Sequence, residues 1–280
     1  MTDRDNRPAI PLTDSAGAAR WVCEELSGYP MAGSCRPLLS LIIPAYNERD
    51  RIITTLETVT DFLEQGEIDY EVIVVSDGST DGTDELASQF ARTHPRVRLV
   101  AYRPNRGKGF AVRTGVATSR GRYVAFIDAD LAVPISVVGA FLEALQDGYD
   151  IVVASRHHPE STVAAPPPWK RRVMSQVFAW LVRRLVIDAF PDTQCGAKGF
   201  RADIARKLFA RQQIDHFSFD AEILFLALRE GYAIKEIPIT LYYTPTTSIR
   251  PIRDALLMLR DLFRIRLNAW RGRYDRAASE

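Results

Sequence analysis

The chain has 280 residues, 46% of them hydrophobic and 25% charged, and a formal net charge of +1. That composition is globular, the length allows one large α/β domain or two small ones, and the near-neutral charge excludes the overall electropositivity of a dedicated nucleic-acid binder. Cys23, Cys35 and Cys195 have no CxxC spacing, which argues against a disulfide framework or a zinc site and fits a reducing cytoplasm. Residues 1–36 lack sustained periodicity apart from a short helical pattern around Ala16–Leu26, and we expect a loosely attached leader with neither signal-peptide nor membrane-spanning character.

From residue 38 a regular alternation begins. Leu38–Ile43 is a near-continuous apolar run closed by Pro44-Ala45-Tyr46-Asn47-Glu48, which reads as a buried parallel strand, a loop, and a helix from about Asp50 to Leu63. Glu71–Val75 repeats the strand, and the polar stretch Ser76–Thr83 opens a helix near Asp84–Ala91. Arg96–Tyr102 is a third strand, followed by Pro104–Gly109 and a helix to Ser119. Tyr123–Ile127 is a fourth strand that ends on Asp128-Ala129-Asp130 before a helix from Pro134 to about Gln146, and Asp150–Ala154 is a fifth. This spacing predicts a mostly parallel sheet with helices on both faces.

Beyond Arg156 the pattern loosens. His157–Pro168 reads as loop, Trp169–Ile187 as a long helix, Asp188–Phe200 as a second loop, and 201–210 and 219–230 as helices. Ala233–Tyr243 alternates as a half-exposed strand does. In the last helix, 249–272, Ile252, Leu256, Leu259, Phe263, Leu267 and Trp270 form an apolar stripe beside Arg253, Arg260, Arg264 and Arg271. A basic amphipathic helix of this kind lies on an anionic membrane surface, or docks on its own sheet or on a second subunit. We divide the chain into a leader at 1–36, one domain at 37–248, and a basic C-terminal helix and tail at 249–280.

In a doubly wound sheet the loops after the first four strands converge on one crevice, so a nucleotide there would meet all of them. Their chemistry suits one. Glu48 and Asp77 are acceptors for a base N–H or ribose hydroxyls, Arg106 and Lys108 supply cations, and Gly107 and Gly109 permit close backbone approach. Asp128 and Asp130, one residue apart at a strand's carboxyl end, can share a hard cation such as Mg²⁺ whose other positions go to phosphate oxygens and water. A dinucleotide-binding oxidoreductase fits less well, because Gly107-Lys108-Gly109 lacks the third glycine and follows the third strand. A nucleotidyltransferase would need a glycine-rich basic loop after the first strand.

The ordered series PAYNE, SDGSTDGT, NRGKG, DAD, DTQCG and FDAE resembles the inverting family-two glycosyltransferases of the GT-A fold. More narrowly it is similar to the branch of dolichyl-phosphate glucosyltransferases and dolichol-phosphate mannose synthases, over residues 37–270. The resemblance implies a nucleotide-sugar donor, UDP-glucose before GDP-mannose, a divalent cation, Mg²⁺ or Mn²⁺, and a polyprenyl phosphate acceptor at the cytoplasmic face of a membrane. It places Pro44, Tyr46, Glu48 and Asp77 along the nucleoside pocket and Lys108 near the base. It gives Asp128 and Asp130 to ribose, diphosphate and metal, and Gln194 of DTQCG to the substrate. Asp220 takes the position where many members keep a general base, and Arg156 and Arg171 take those of an acceptor-phosphate clamp.

The sequence departs from the pattern at Ser76, where relatives often carry an acid, and at Ala132, where mannose synthases often carry a polar residue. The QxxRW signature of processive synthases is absent, so a single transfer is expected. A hydroxyl acceptor would need Asp220 to remove its proton, whereas a phosphate monoester, with a second pKa of about 6, is already nucleophilic at neutral pH.

Overall fold

In the computed structural model, residues 21–22, 36–163, 169–190, 192–242 and 251–275 are described. Ten strands and eight helices run in chain order as β1 (Trp21–Val22), β2 (Leu39–Ala45), α1 (Ile52–Gln65), β3 (Tyr70–Asp77), α2 (Thr83–Thr93), β4 (Val97–Tyr102), α3 (Lys108–Thr118), β5 (Tyr123–Phe126), α4 (Val137–Gln146), β6 (Ile151–Ser155), β7 (Thr162–Val163), α5 (Trp169–Leu185), β8 (Lys198–Arg201), α6 (Ala202–Ala210), α7 (Phe219–Arg229), β9 (Ile234–Pro238), β10 (Thr240–Leu241) and α8 (Pro251–Trp270). Eight strands form one sheet in the order β1-β4-β3-β2-β5-β8-β6-β9, and β7 pairs with β10 beside it. Strands β4, β3, β2 and β5 are mutually parallel, as are β6 and β9, while β8 is antiparallel to both of its neighbours.

The apolar runs become central strands because both faces are covered. On β2, Ile42 packs into one core with α3, α6 and α7, and Leu41 and Ile43 pack into the other with α1 and α4. This is the two-residue alternation of a pleated strand with no solvated face. Pro44 is tolerated because β2 pairs with β5 only as far as Ile42–Phe126, with Ile127 N donating to Ile42 O as the last bond. There the two strands part, and Asp128 and Asp130 follow at the opening.

Three expectations change. Residues 198–201, read as the end of a loop and the first residue of a helix, form β8 between β5 and β6, because the chain re-enters the sheet with Phe200 buried and Gly199 packed against Val152 and Phe141. Trp21–Val22 is a strand paired with β4 where a short helical turn was expected, and the rest of 1–35 lies outside the described residues. The strand read at 233–243 is divided into β9 and β10, and residue 243 lies outside the described residues.

The C-terminal helix docks by a different stripe from the one the spacing picked out. Leu262 and Ile265 are buried in the core with Val182 and Val186 of the α5 region, and Asp261 and Asn268 share that inner face. Phe263, Leu267 and Trp270 point outward, Trp270 with 84% of its surface exposed, and the side chains of Ile252 and Leu256 lie outside the described residues. Beyond α8, the buried Tyr274 hydroxyl donates to Glu222 Oε1 of α7 at 2.5 Å. The same carboxylate accepts the N–H groups of Gln213 and Ile214 at 2.9–3.1 Å.

Gly115 is where α3 presses on the sheet: a Cβ there would stand 2.5 Å from Ile42 Cγ2, whereas one on Gly139 of α4 meets nothing within 4 Å. Gly115→Val should therefore destabilise the fold by about 1–3 kcal/mol through overpacking, while Gly139→Ala should stabilise it by about 0.4–1 kcal/mol through the unfolded chain. Urea denaturation of both variants checks the pair, and equal midpoints would refute the packing account.

Candidate active site

The loops after β2 and β3 are fastened to one another. Asn47, at a left-handed φ of 55°, accepts the Thr80 N–H on its side-chain oxygen at 2.8 Å and donates its own N–H to Ser79 Oγ at 3.1 Å. Glu48 N donates to Thr83 Oγ1 at 2.9 Å, and Arg49 N to Asp81 Oδ2 at 3.0 Å. These bonds set the PAYNE segment against the start of α2, with Tyr46 exposed at the mouth and Pro44 beneath it. Glu48 pairs with Arg51 at 2.9 Å. Burial pushes the Glu48 carboxyl upward against that pairing, and the charges of Asp130 and Asp128 add to the rise.

Asp77 is occupied rather than free. Its Oδ1 accepts Arg106 N at 2.7 Å, and its Oδ2 accepts Gly107 N at 2.8 Å and Asn105 Nδ2 at 2.9 Å. The carboxylate thus shapes the NRGKG loop, and any contact it makes with a base is secondary to that. Gly78 and Gly107 are required there: at φ of 75° and 106°, their Cβ atoms would stand 2.7 Å from Asn105 N and 2.4 Å from His216 Nδ1. Ser76, where relatives often carry an acid, hydrogen-bonds to Asp84 Oδ1, so a carboxylate from α2 reaches that place by another route.

Lys108, which the resemblance puts near the base, is paired with an acid. Its ammonium lies 2.5 Å from Asp128 Oδ1, at the acid pair. Asp130 accepts the Ala132 N–H at 3.1 Å, and its carboxyl is pushed up by burial first and by the charge of Asp128 next. Asp128 and Asp130 form an oxygen-only donor set suited to a hard dication. Among the described residues no third His, Cys, Asp or Glu joins them as a cluster able to hold a metal.

A second cluster is built from the end of β6 and the loop that leads into β8. Arg156 donates to Asp192 through Nε and Nη2, both at 2.7 Å, and through its backbone N–H at 2.9 Å. The fork is therefore held in orientation by a buried carboxylate. Gln194 donates its N–H to the same Asp192 at 3.2 Å, and its Nε2 is buried without a protein partner. Gly196 lies directly on the donor acid, since a Cβ there would be 1.9 Å from Asp128 Oδ2. Burial pushes the Cys195 thiol up to about 12, so it is a packed side chain and not a nucleophile. Asp220, in the first turn of α7, is buried and bonded to Lys198 Nζ at 2.6 Å. Burial pushes its carboxyl up, against the ammoniums of Lys198 and Lys108. The side chain of Arg171, on α5, lies outside the described residues.

The structure thus gathers Glu48, Lys108, Asp128 and Asp130 at one edge, with Asp220 and Arg156 one and two strands away. Sequence reasoning missed Lys198, the Asp192 fork and the seat of Gly196 on Asp128. A lysine in an otherwise apolar stretch, Ala197-Lys198-Gly199-Phe200, was the available signal for the first.

Comparison with known proteins agrees with this architecture. The description "Glycosyl transferase family 2" matches residues 40–209. The chain is 36% identical over 252 residues to the dolichyl-phosphate beta-glucosyltransferase of Drosophila melanogaster, covering 83% of this chain and 77% of that protein. It is 34% identical to the Saccharomyces cerevisiae protein of the same name, covering 84% and 76%. Among solved structures, glucosyl-3-phosphoglycerate synthase from Mycobacterium tuberculosis with Mn²⁺, UDP and glucosyl-3-phosphoglycerate superposes with a TM-score of 0.60 at 20% identity, covering 87% of this chain and 82% of that one. This last likeness shows a shared fold.

The Arg156–Asp192 pair has a pH signature. Burial raises the Asp192 carboxyl, but the Arg156 bonds outweigh it and hold the group at about 2. A depressed folded-state pKa gives stability that is present above the unfolded value of about 4 and lost as pH falls toward 2, roughly 2–3 kcal/mol for a shift of this size. Asp192→Asn should lower the denaturation midpoint near pH 7 and flatten its decline between about pH 4 and 2. Parallel curves for variant and wild type over that range would contradict the assignment.

Proposed function

Because the chain belongs to glycosyl transferase family 2, we propose that it transfers glucose from UDP-glucose to a polyprenyl phosphate of the dolichyl type, with inversion, giving a β-linked lipid-phosphate sugar. The observation that carries this reading is the placement of two charge systems on one edge. The acid pair that answers a nucleotide diphosphate ends β5, and the guanidinium that answers a phosphate acceptor follows β6. Only β8 separates them, so they stand about 10 Å apart, two strand spacings. A hexosyl group fits between two such anions. The names of the relatives supply glucose and dolichyl phosphate.

In this scheme the Tyr46, Glu48 and Asp77 loops seat the nucleoside, and Lys108 moves from Asp128 to the diphosphate. Asp128 and Asp130 would hold Mg²⁺ or Mn²⁺, which supplies the positive charge that the departing diphosphate needs. Arg156, held in orientation by Asp192, aims the acceptor phosphate, with Gln194 beside it and Arg171 assigned to the same clamp. An oxygen of the acceptor dianion forms the bond to the anomeric carbon as the bond to the UDP oxygen breaks. No proton need leave in that step, and UDP carries away the electron pair.

Radiolabelled UDP-glucose, polyprenyl phosphate and Mg²⁺ should carry label into the organic phase as a β-linked product, with GDP-mannose giving none. Asp130→Asn should lower the rate by at least about 10²-fold without unfolding, the scale expected when charge stabilisation at a leaving group is lost. Full turnover in excess chelator, or an α-linked product by NMR, would overturn the assignment.

The acceptor's lipid also needs a surface. Among the described residues no helix is long and apolar enough to cross a membrane. On the outward face of α8, Phe263, Leu267 and Trp270 alternate with the exposed Arg260, Arg264 and Arg271. Interleaved aromatic and cationic groups fit the headgroup region of an anionic bilayer, where the arginine stems lie along apolar surface and their heads meet phosphates. We assign the chain a peripheral position on the cytoplasmic face through this helix. Phe263→Ser with Trp270→Ser should weaken binding to vesicles containing anionic lipid at least about tenfold, the change for one to two buried aromatic side chains. Turnover of a short, water-soluble polyprenyl phosphate should be spared. Unchanged vesicle binding would refute the surface.

A further inference from the structure

Lys198 is the least exposed cation of the site: its side chain is 1% exposed, and its ammonium is bonded to Asp220 Oδ1 at 2.6 Å and to the Cys195 carbonyl at 2.8 Å. Its position follows from strand direction. Strand β8 runs against β5 and β6, so it begins where they end, and Lys198 stands in register with Phe126 on one side and Val153 on the other. Those positions lie two residues before Asp128 and three before Arg156. The ammonium also faces the Phe126 ring, with 5.5 Å from the nitrogen to the ring centroid.

Three pieces of the site therefore meet at one nitrogen. Asp220 comes from α7. The Cys195 carbonyl belongs to the loop whose Asp192 orients Arg156 and whose Gly196 packs on Asp128. Lys198 itself is fixed in the sheet. A buried ion pair is a poor device for stability, since apolar side chains of similar volume often serve as well or better. It is a good device for holding a carboxylate at one place.

We propose that Lys198 is a positioning residue for the transfer reaction, holding Asp220 and the 192–196 loop at a fixed separation so that Asp220 orients the donor sugar. This rests on the glycosyl-transfer reading and deepens it: a carboxylate already engaged by an ammonium is poorly placed to deprotonate a hydroxyl, which commits the site to an acceptor that arrives ionised. In this scheme Lys198 acts on the chemical step through Asp220 and has no contact with the nucleotide.

The test compares Lys198→Met, Asp220→Asn and the double variant in the full chain. Radiolabelled donor is used, so that losses of roughly 10²- to 10⁴-fold remain measurable. Lys198→Met should lower kcat at least about tenfold while leaving the donor KM within about threefold, the mark of an interaction that matters in the transition state. In the Asp220→Asn background the same change should cost no more than about twofold, because residues that act as one unit are not additive. The double variant also removes the lone buried carboxylate that would unfold Lys198→Met, so the ratio of double to Asp220→Asn decides the question where the single variant does not fold. A wild-type kcat in Lys198→Met, or a double variant carrying both losses multiplied, would overturn the proposal. The ratios are taken on whichever nucleotide sugar the wild type turns over, so failure with UDP-glucose would refute the donor assignment and leave Lys198 to be judged separately.

Discussion

Glu48, Asp128, Asp130 and Asp220 are drawn to one edge of the sheet, and the protein answers them with few cations. Lys108 lies on Asp128, Lys198 on Asp220 and Arg51 on Glu48. Burial pushes the carboxyls of Glu48, Asp130 and Asp220 upward, and neighbouring acids add to it. Such an edge holds more negative charge than it neutralises, and a dication with its diphosphate is the natural complement. The surrounding bonds, from the Asn47 staple to the Asp77 cage, serve to keep these loops close despite their repulsion.

The parallel half of the fold was legible because its strands announce themselves. LLSLII and YEVIVV are buried on both faces, and only a sheet covered by helices accommodates such runs. The acids and glycines of the first four loops were legible for the same reason, as they sit where an apolar run stops. Strand β8 escaped notice because four residues with a lysine and a glycine carry no strand period; only pairing on both sides makes Lys198–Arg201 a strand. Partnerships were equally hidden. Composition offered Arg156 and Asp192 as separate loop charges, and nothing short of the folded chain joins them across 36 positions.

The C-terminal helix shows a related limit. A period of three and four finds an apolar stripe but does not say which stripe meets the protein when both sides of a helix carry large side chains. Here the inner face is Leu262 and Ile265, together with the polar Asp261 and Asn268, and the outer face keeps the aromatic residues. Polar groups inside and tryptophan outside invert the usual arrangement, which agrees with an outer face meant for lipid and an inner one meant for other side chains.

Glu222 gives that helix a second meaning. Its carboxylate joins Tyr274, just beyond α8, to the backbone of Gln213 and Ile214, and two residues past Gln213 the Asp215 carbonyl accepts the Phe110 N–H while its side chain pairs with Arg113, both on α3. A continuous chain of bonds thus runs from the residues just beyond α8 to the start of α3. The tail is a tendon rather than a tether: a displacement of α8 is passed through Glu222 to the first turn of α3, the helix that opens on Lys108.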